Sequence, residues 1–145
     1  MSKYWVVAAD ASRARIFSRE KKFSPLAEEE GLVHGESRLK REELTRDRPG
    51  QVFESATPGE NINAEPTDPR SREAEVFARE LGEKLGAIRA SGQMQGLTLI
   101  AEPRFLGRLR DHLDRPTREQ VLFEVGKNLT RSDTETIARA ADPRA

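Results

Sequence analysis

The chain has 145 residues, room for one domain with a core of its own. Hydrophobic residues make up 35 % and charged residues 34 %, so an ordered core is expected beside a polar loop, not a chain disordered throughout. Lys+Arg and Asp+Glu are equal at 25 each and cysteine is absent, which excludes a global field for nucleic acid or membrane and excludes disulfides, thiolate zinc sites and a cysteine nucleophile.

Tyr4 to Ala9 is an unbroken apolar run, as expected of a central strand buried on both faces. It is too short for the core of a signal peptide, and Asp10 ends it. No later run approaches transmembrane length, so the expectation is a cytoplasmic protein without membrane contact. Asp10-Ala11-Ser12 supplies turn chemistry, and Ala14 to Ser18 reads as a second strand in a hairpin with the first. Leu26 to His34 sets Leu26, Ala27, Leu32 and Val33 around three glutamates and reads as a third strand at a sheet edge, where charge discourages pairing with other chains.

From Gly35 to Pro69 the sequence is charged and nearly free of apolar residues, and a loop this long in a compact domain tends to be functional or disordered. Asp68-Pro69 then signals a helix start, and Ala74, Phe77, Ala78, Leu81, Leu85 and Ile88 form one apolar stripe down to Ser91-Gly92. Glu80 and Lys84 make an i,i+4 pair on that helix. Leu97 to Ala101 reads as a buried strand, Pro103 opens a second helix, and Arg115-Pro116 breaks it. Val121 to Val125 is the last strand. Ser132-Asp133-Thr134-Glu135 fits a capping box with Ser132 as N-cap, opening a final helix that runs to Asp142-Pro143.

The element order is therefore β-β-β-loop-α-β-α-β-α. It predicts a single α/β domain over residues 1–145, with a mixed five-stranded sheet of order 3-2-1-4-5 and helices on its faces. In open α/β sheets, ligands sit beyond the carboxyl ends of the strands where the order reverses, here between the first and fourth strands. Asp10, Ser12 and Arg13 follow the first strand, Glu102 and Arg104 the fourth, and Lys127 and Asn128 the fifth.

Two readings of the carboxylates stand side by side. With Glu75 or Asp133 nearby, Asp10 and Glu102 are candidate Mg²⁺ ligands and catalytic residues, as in ribonuclease H-like nucleases. Equally, Asp10 serves a turn, Glu102 is a solvated loop residue, and Glu75 and Asp133 complement helix starts. The second reading accounts for each residue locally, so neither metal nor cofactor is expected. Arg38, Lys40, Arg41, Arg46 and Arg48 cluster in the long loop, interleaved with Glu36, Glu42, Glu43 and Asp47, and fit phosphate contacts or a solvated face. Phe53 fits a stacking platform or a loop anchor. His34 is a candidate general base without a Ser or Asp at any recognisable spacing. His112 is expected to be exposed and Trp5 to lie in the core.

Five segments together resemble the bacterial host-attachment protein family, labelled as required for attachment to host cells. They are Val7 to Phe17, Asp47-Arg48-Pro49-Gly50, Glu65 to Pro69, Phe77 to Leu81, and Pro103 to Gly107, in order along the chain. That family is similar to the middle domain of archaeo-eukaryotic release factors and Pelota, which implies a ribonuclease H-like, translational machinery component fold with the same strand order. In the release factors the matching loop carries Gly-Gly-Gln; here Gly35 to Pro69 contains Pro49-Gly50-Gln51. The resemblance, the loop and its basic content together imply a non-catalytic domain associated with RNA or the ribosome. Its contacts would come from Arg38, Lys40, Arg41, Arg46, Arg48, Gly50 and Gln51, with Arg13, Arg15 and Arg104 in support. DNA is not an expected partner. A hydrolase acting on RNA through Asp10 and Glu102, and a module whose loop binds a protein partner, are the alternatives.

Overall fold

The structure, a computed structural model, describes residues 2–34 and 69–142. The 35–69 loop therefore lies outside the described residues up to Pro69, and with it the Asp68 cap, the Asp47 to Gly50 turn and Phe53. Strand β1 spans Lys3–Ala9, β2 Arg13–Arg19 and β3 Ala27–Val33. Helix α1 spans Pro69–Ala90 and is followed by β4, Met94–Ala101. Then come α2 at Pro103–Asp111, a short α3 at Arg115–Arg118, β5 at Val121–Val125 and α4 at Thr134–Ala141. The sheet order is β3-β2-β1-β4-β5, antiparallel from β3 to β1 and parallel from β1 to β5, as the pattern of short turns and helical crossovers predicts.

β1 is central because its run from Trp5 to Ala9 is apolar on both faces. Successive side chains of a strand point to opposite faces. Trp5, Val7 and Ala9 pack into one core cluster with Phe77, Leu81 and Leu85 of α1 and Phe105 and Leu109 of α2. Val6 and Ala8 pack into the other with Phe17, Ile100 and Ile137 of α4. Each fully buried Leu, Val or Phe contributes on the order of 1.5–3 kcal/mol relative to exposure. The Trp5 indole N–H is satisfied by the Gln93 carbonyl at 2.9 Å, so the ring is buried as expected without an orphan donor.

Several local expectations shift. β4 starts at Met94, three residues before Leu97, because pairing with Lys3 and Tyr4 carries the strand past Gly96. Arg115-Pro116 does not merely end a helix. Proline suits a first turn, and with Asp114 accepting the Thr117 amide at 2.9 Å it opens α3. Asp133, not Ser132, caps α4, accepting the Thr136 amide at 2.9 Å. Lys84 reaches Glu30 of β3 at 2.8 Å instead of lying only along its own helix. The other edge glutamates are likewise bonded within the fold: Glu28 to Arg15, and Glu29 to the Ser18 hydroxyl.

α1 and α2 are clamped together at Glu75. Its carboxylate meets His112 Nε2 at 2.7 Å and Arg108 at 3.0 Å. His112 is thus a half-buried partner, not the freely exposed residue expected from sequence. Its hydrogen bond, and secondarily that of Arg108, holds the Glu75 carboxyl below its ordinary range. The helices approach closely at Gly82, where a Cβ would stand 2.6 Å from the His112 carbonyl oxygen. At Gly107, within α2, a Cβ meets nothing within 4 Å.

These two glycines give opposite predictions for the same substitution. Helix propensity alone favours Gly→Ala by about 0.5–1 kcal/mol. Gly107→Ala should gain that amount in urea unfolding. Gly82→Ala should lose stability, because the backbone carbonyl it strikes cannot swing aside. Stabilisation by both would contradict the close approach of α1 to the end of α2.

Candidate functional site

The carboxyl ends of β1, β4 and β5 and the start of β2 share one edge of the sheet, where the order reverses between β1 and β4. Asp10 organises the turn there. Its Oδ1 accepts the amides of Ser12 at 2.8 Å and Arg13 at 3.0 Å, and its own amide donates to the Arg13 carbonyl at 2.9 Å. Oδ2 faces the loop after β5: the Thr130 hydroxyl lies 3.0 Å away and the Asn128 side-chain amide 3.4 Å away. The Thr130 hydroxyl is also 2.8 Å from Asn128 Oδ1, so its single proton serves one of the two acceptors at a time. Both oxygens of Asp10 are therefore engaged with the fold.

Glu102 is engaged in the same way, at the start of α2. Its Oε1 accepts the Arg104 amide at 3.0 Å and its Oε2 the Phe105 amide at 2.9 Å, making it the N-cap and not a solvated loop residue. Glu75 belongs to the helix clamp and Asp133 to the α4 cap. Among the described residues, no three His, Cys, Asp or Glu side chains gather as a metal-holding group.

The arginines divide into two kinds. Arg15 is built into the fold: Nε and one terminal nitrogen each donate to Glu28 at 3.0 Å, and the other terminal nitrogen donates to the carbonyls of Thr130 at 3.1 Å and Ser132 at 2.7 Å. Its guanidinium also lies 5.2 Å from the centre of the Phe17 ring. That hydrogen bond to Arg15 holds the Glu28 carboxyl below its ordinary range. By contrast, the side chains of Arg13, Arg104, Lys127 and Arg131 have no hydrogen-bond or ion-pair partner among the described residues.

Arg13 and Arg131 line a groove of about 620 Å³ with Arg15, Thr130 and Gly31, on the α4 side of the edge. Arg104 lines a smaller hollow of about 150 Å³ on the other side, with Ala11, Ser71 and Glu102. The edge thus shows unpartnered cations to both faces. The segment from 35 to 68 leaves and returns here. His34 donates its amide to the Ser12 carbonyl at 2.9 Å, and Ser71 of the first turns of α1 lines the smaller hollow. Arg38, Lys40, Arg41, Arg46, Arg48, Gly50 and Gln51 lie outside the described residues. The His34 ring is buried, 5.6 Å from the Phe77 ring centre, and among the described residues neither ring nitrogen has a partner that would orient it as a general base.

Arg131 and Thr130 escape a reading of the sequence. The signal for Arg131 is its place in the same post-strand turn that singled out Lys127 and Asn128. A lone loop hydroxyl such as Thr130 carries no pattern until the fold sets it against Asp10.

A family model described as "Protein required for attachment to host cells" matches residues 5–140. No protein of curated function matches the chain. Among solved structures, one described as "Archaeal protein" is similar over 97 % of this chain at 12 % identity and a TM-score of 0.47, and the chain spans 36 % of that protein's length.

The division between engaged and unpartnered side chains is measurable. Asp10→Ala strips the Ser12 and Arg13 amides of their acceptor and should cost about 1–3 kcal/mol in urea unfolding. Arg13→Ala and Arg131→Ala should each change stability by no more than about 0.5 kcal/mol. Equal losses for all three would mean that the two arginines are structural.

Proposed function

The chain belongs to the family of proteins required for attachment to host cells, and from that membership and the geometry of the carboxyl edge we infer an RNA-associated domain, with the ribosome as its partner and no catalysis of its own. One observation carries this reading. At the edge where the sheet order reverses, the carboxylates of Asp10 and Glu102 are bonded to the fold, while the side chains of Arg13, Arg104, Lys127 and Arg131 have no partner among the described residues. Keeping four cations unpaired on a chain with as many acids as bases gives a local positive edge without a global one. Phosphates spaced along a single-stranded or looped RNA suit cations presented on both faces of an edge.

Arg38, Lys40, Arg41, Arg46, Arg48, Gly50 and Gln51 join this reading by sequence, since the segment that holds them begins and ends at the same edge. The likeness to release-factor middle domains that the sequence resemblance implies would point the same way, toward the translating ribosome. Attachment to host cells is then an indirect outcome, through translation or its regulation. The alternative of a metal-dependent hydrolase has less behind it, because the two carboxylates it needs already accept four backbone amides and a hydroxyl.

The test is sedimentation of the tagged chain through sucrose gradients of its native lysate. Co-migration with ribosomes at low salt, lost as salt rises and lost in the Arg13→Glu/Arg131→Glu double variant, is the expected result. A chain that stays at the top of the gradient at every salt concentration overturns the ribosomal partner.

A further inference from the structure

The opposite, amino end of the sheet carries a second hollow, chemically unlike the first. α4 is eight residues long and packs on Val6, Ala8, Phe17 and Ile100, and among the described residues no helix covers the rows nearer the strand starts. There the register sets Arg19, Tyr4 and Gly96 side by side across β2, β1 and β4. Gly96 has no side chain, and those of Tyr4 and Leu122 lean over it: a Cβ there would stand 2.7 Å from each. The result is an apolar cavity of about 400 Å³, walled by Tyr4, Phe23, Leu122 and Phe123. That size falls within the range of small-ligand sites, ~300–1000 Å³. Three of its wall residues are large apolar side chains left open to solvent, with Phe23 56 % exposed and Leu122 and Phe123 each 43 %. Phe23 also sits at φ 68°, a left-handed conformation unfavourable for a bulky residue.

The polar groups at this cavity are few and have a definite sign. Arg19 is only 7 % exposed, and its two terminal nitrogens hold Asp142 at 3.0 and 2.7 Å. Its Nε is buried and has no hydrogen-bond partner among the described residues. Lys22 lies 5.8 Å from the centre of the Tyr4 ring with no ion pair among the described residues. Arg19 and Asp142 cancel, so the lining carries one net positive charge, on Lys22.

We propose that this cavity binds a small amphipathic monocarboxylic acid. Its aliphatic or aromatic body lies against Tyr4, Phe23, Leu122 and Phe123. Its single carboxylate is neutralised by Lys22 at the rim. This site is independent of the carboxyl edge.

The test titrates dodecanoate and, separately, dodecanol into the full chain below their aggregation concentrations. Binding is followed by the fluorescence of Trp5, the single tryptophan and part of the cavity lining, and by calorimetry. Dodecanoate should bind saturably at one site, at least about tenfold more tightly than the alcohol, the scale expected for one charge-assisted contact. Lys22→Glu and Phe123→Asp, both at exposed positions, should each weaken dodecanoate about tenfold or more while leaving the unfolding midpoint in place. These variants are used because Arg19→Gln would strand Asp142 and confuse folding with binding. The Arg13→Glu/Arg131→Glu variant should bind dodecanoate normally. No saturable binding, equal affinity for acid and alcohol, or indifference to both cavity variants overturns the proposal.

Discussion

The structure depends on one constraint: β1 must be buried on both faces. Its run from Trp5 to Ala9 offers no polar side chain to solvent, so it takes the middle of the sheet and needs cover above and below. α1 and α2 supply one cover and α4 the other. The antiparallel hairpin to β2 and the parallel crossover to β4 follow from which neighbours the chain can deliver. The turn after β1 then becomes the junction where the sheet order reverses, and Asp10 fixes that junction by tying the β1–β2 turn to the loop after β5.

The two ends of the sheet differ because their covers differ. At the carboxyl end, loops and helix starts converge, backbone amides are plentiful, and acids settle on them as caps and turn acceptors. Arg15 is bound in as well, and the side chains of Arg13, Arg104, Lys127 and Arg131 are left over. At the amino end, a short α4 leaves apolar side chains exposed among the described residues, beside a buried Arg19–Asp142 pair and Lys22. One fold therefore presents a polar, cationic edge and an apolar cavity on opposite ends of the same strands.

Much of this was legible in the sequence, for identifiable reasons. The strand order followed from apolar runs, short turns and helical stripes, all governed by burial of long segments. Single-residue assignments fared less well. Asp133 displaced Ser132 as a cap because either side chain can accept the same kind of amide, and only the backbone path selects one. Glu102 looked solvated because a glutamate before proline has no distinctive pattern, yet Pro103 starts α2 and leaves its amides to that carboxylate. Arg15 and Arg13 were indistinguishable by spacing. They parted only when β3 brought Glu28 within hydrogen-bond reach of Arg15 and left Arg13 facing a groove. Nor did any periodicity reveal the amino-end cavity, which arises from a glycine, a strained phenylalanine and a helix too short to cover them.

The central claim is that the cations of the carboxyl edge serve a phosphate-bearing ligand and not the fold. The most direct measurement is the affinity of the full chain for a short polyuridine RNA over a series of salt concentrations. The account predicts that log K falls linearly with log salt, with a slope of about −0.7 for each phosphate neutralised, and that removing Arg13 or Arg131 shallows the slope. Binding that ignores salt, or a slope that survives the loss of both arginines unchanged, would contradict it.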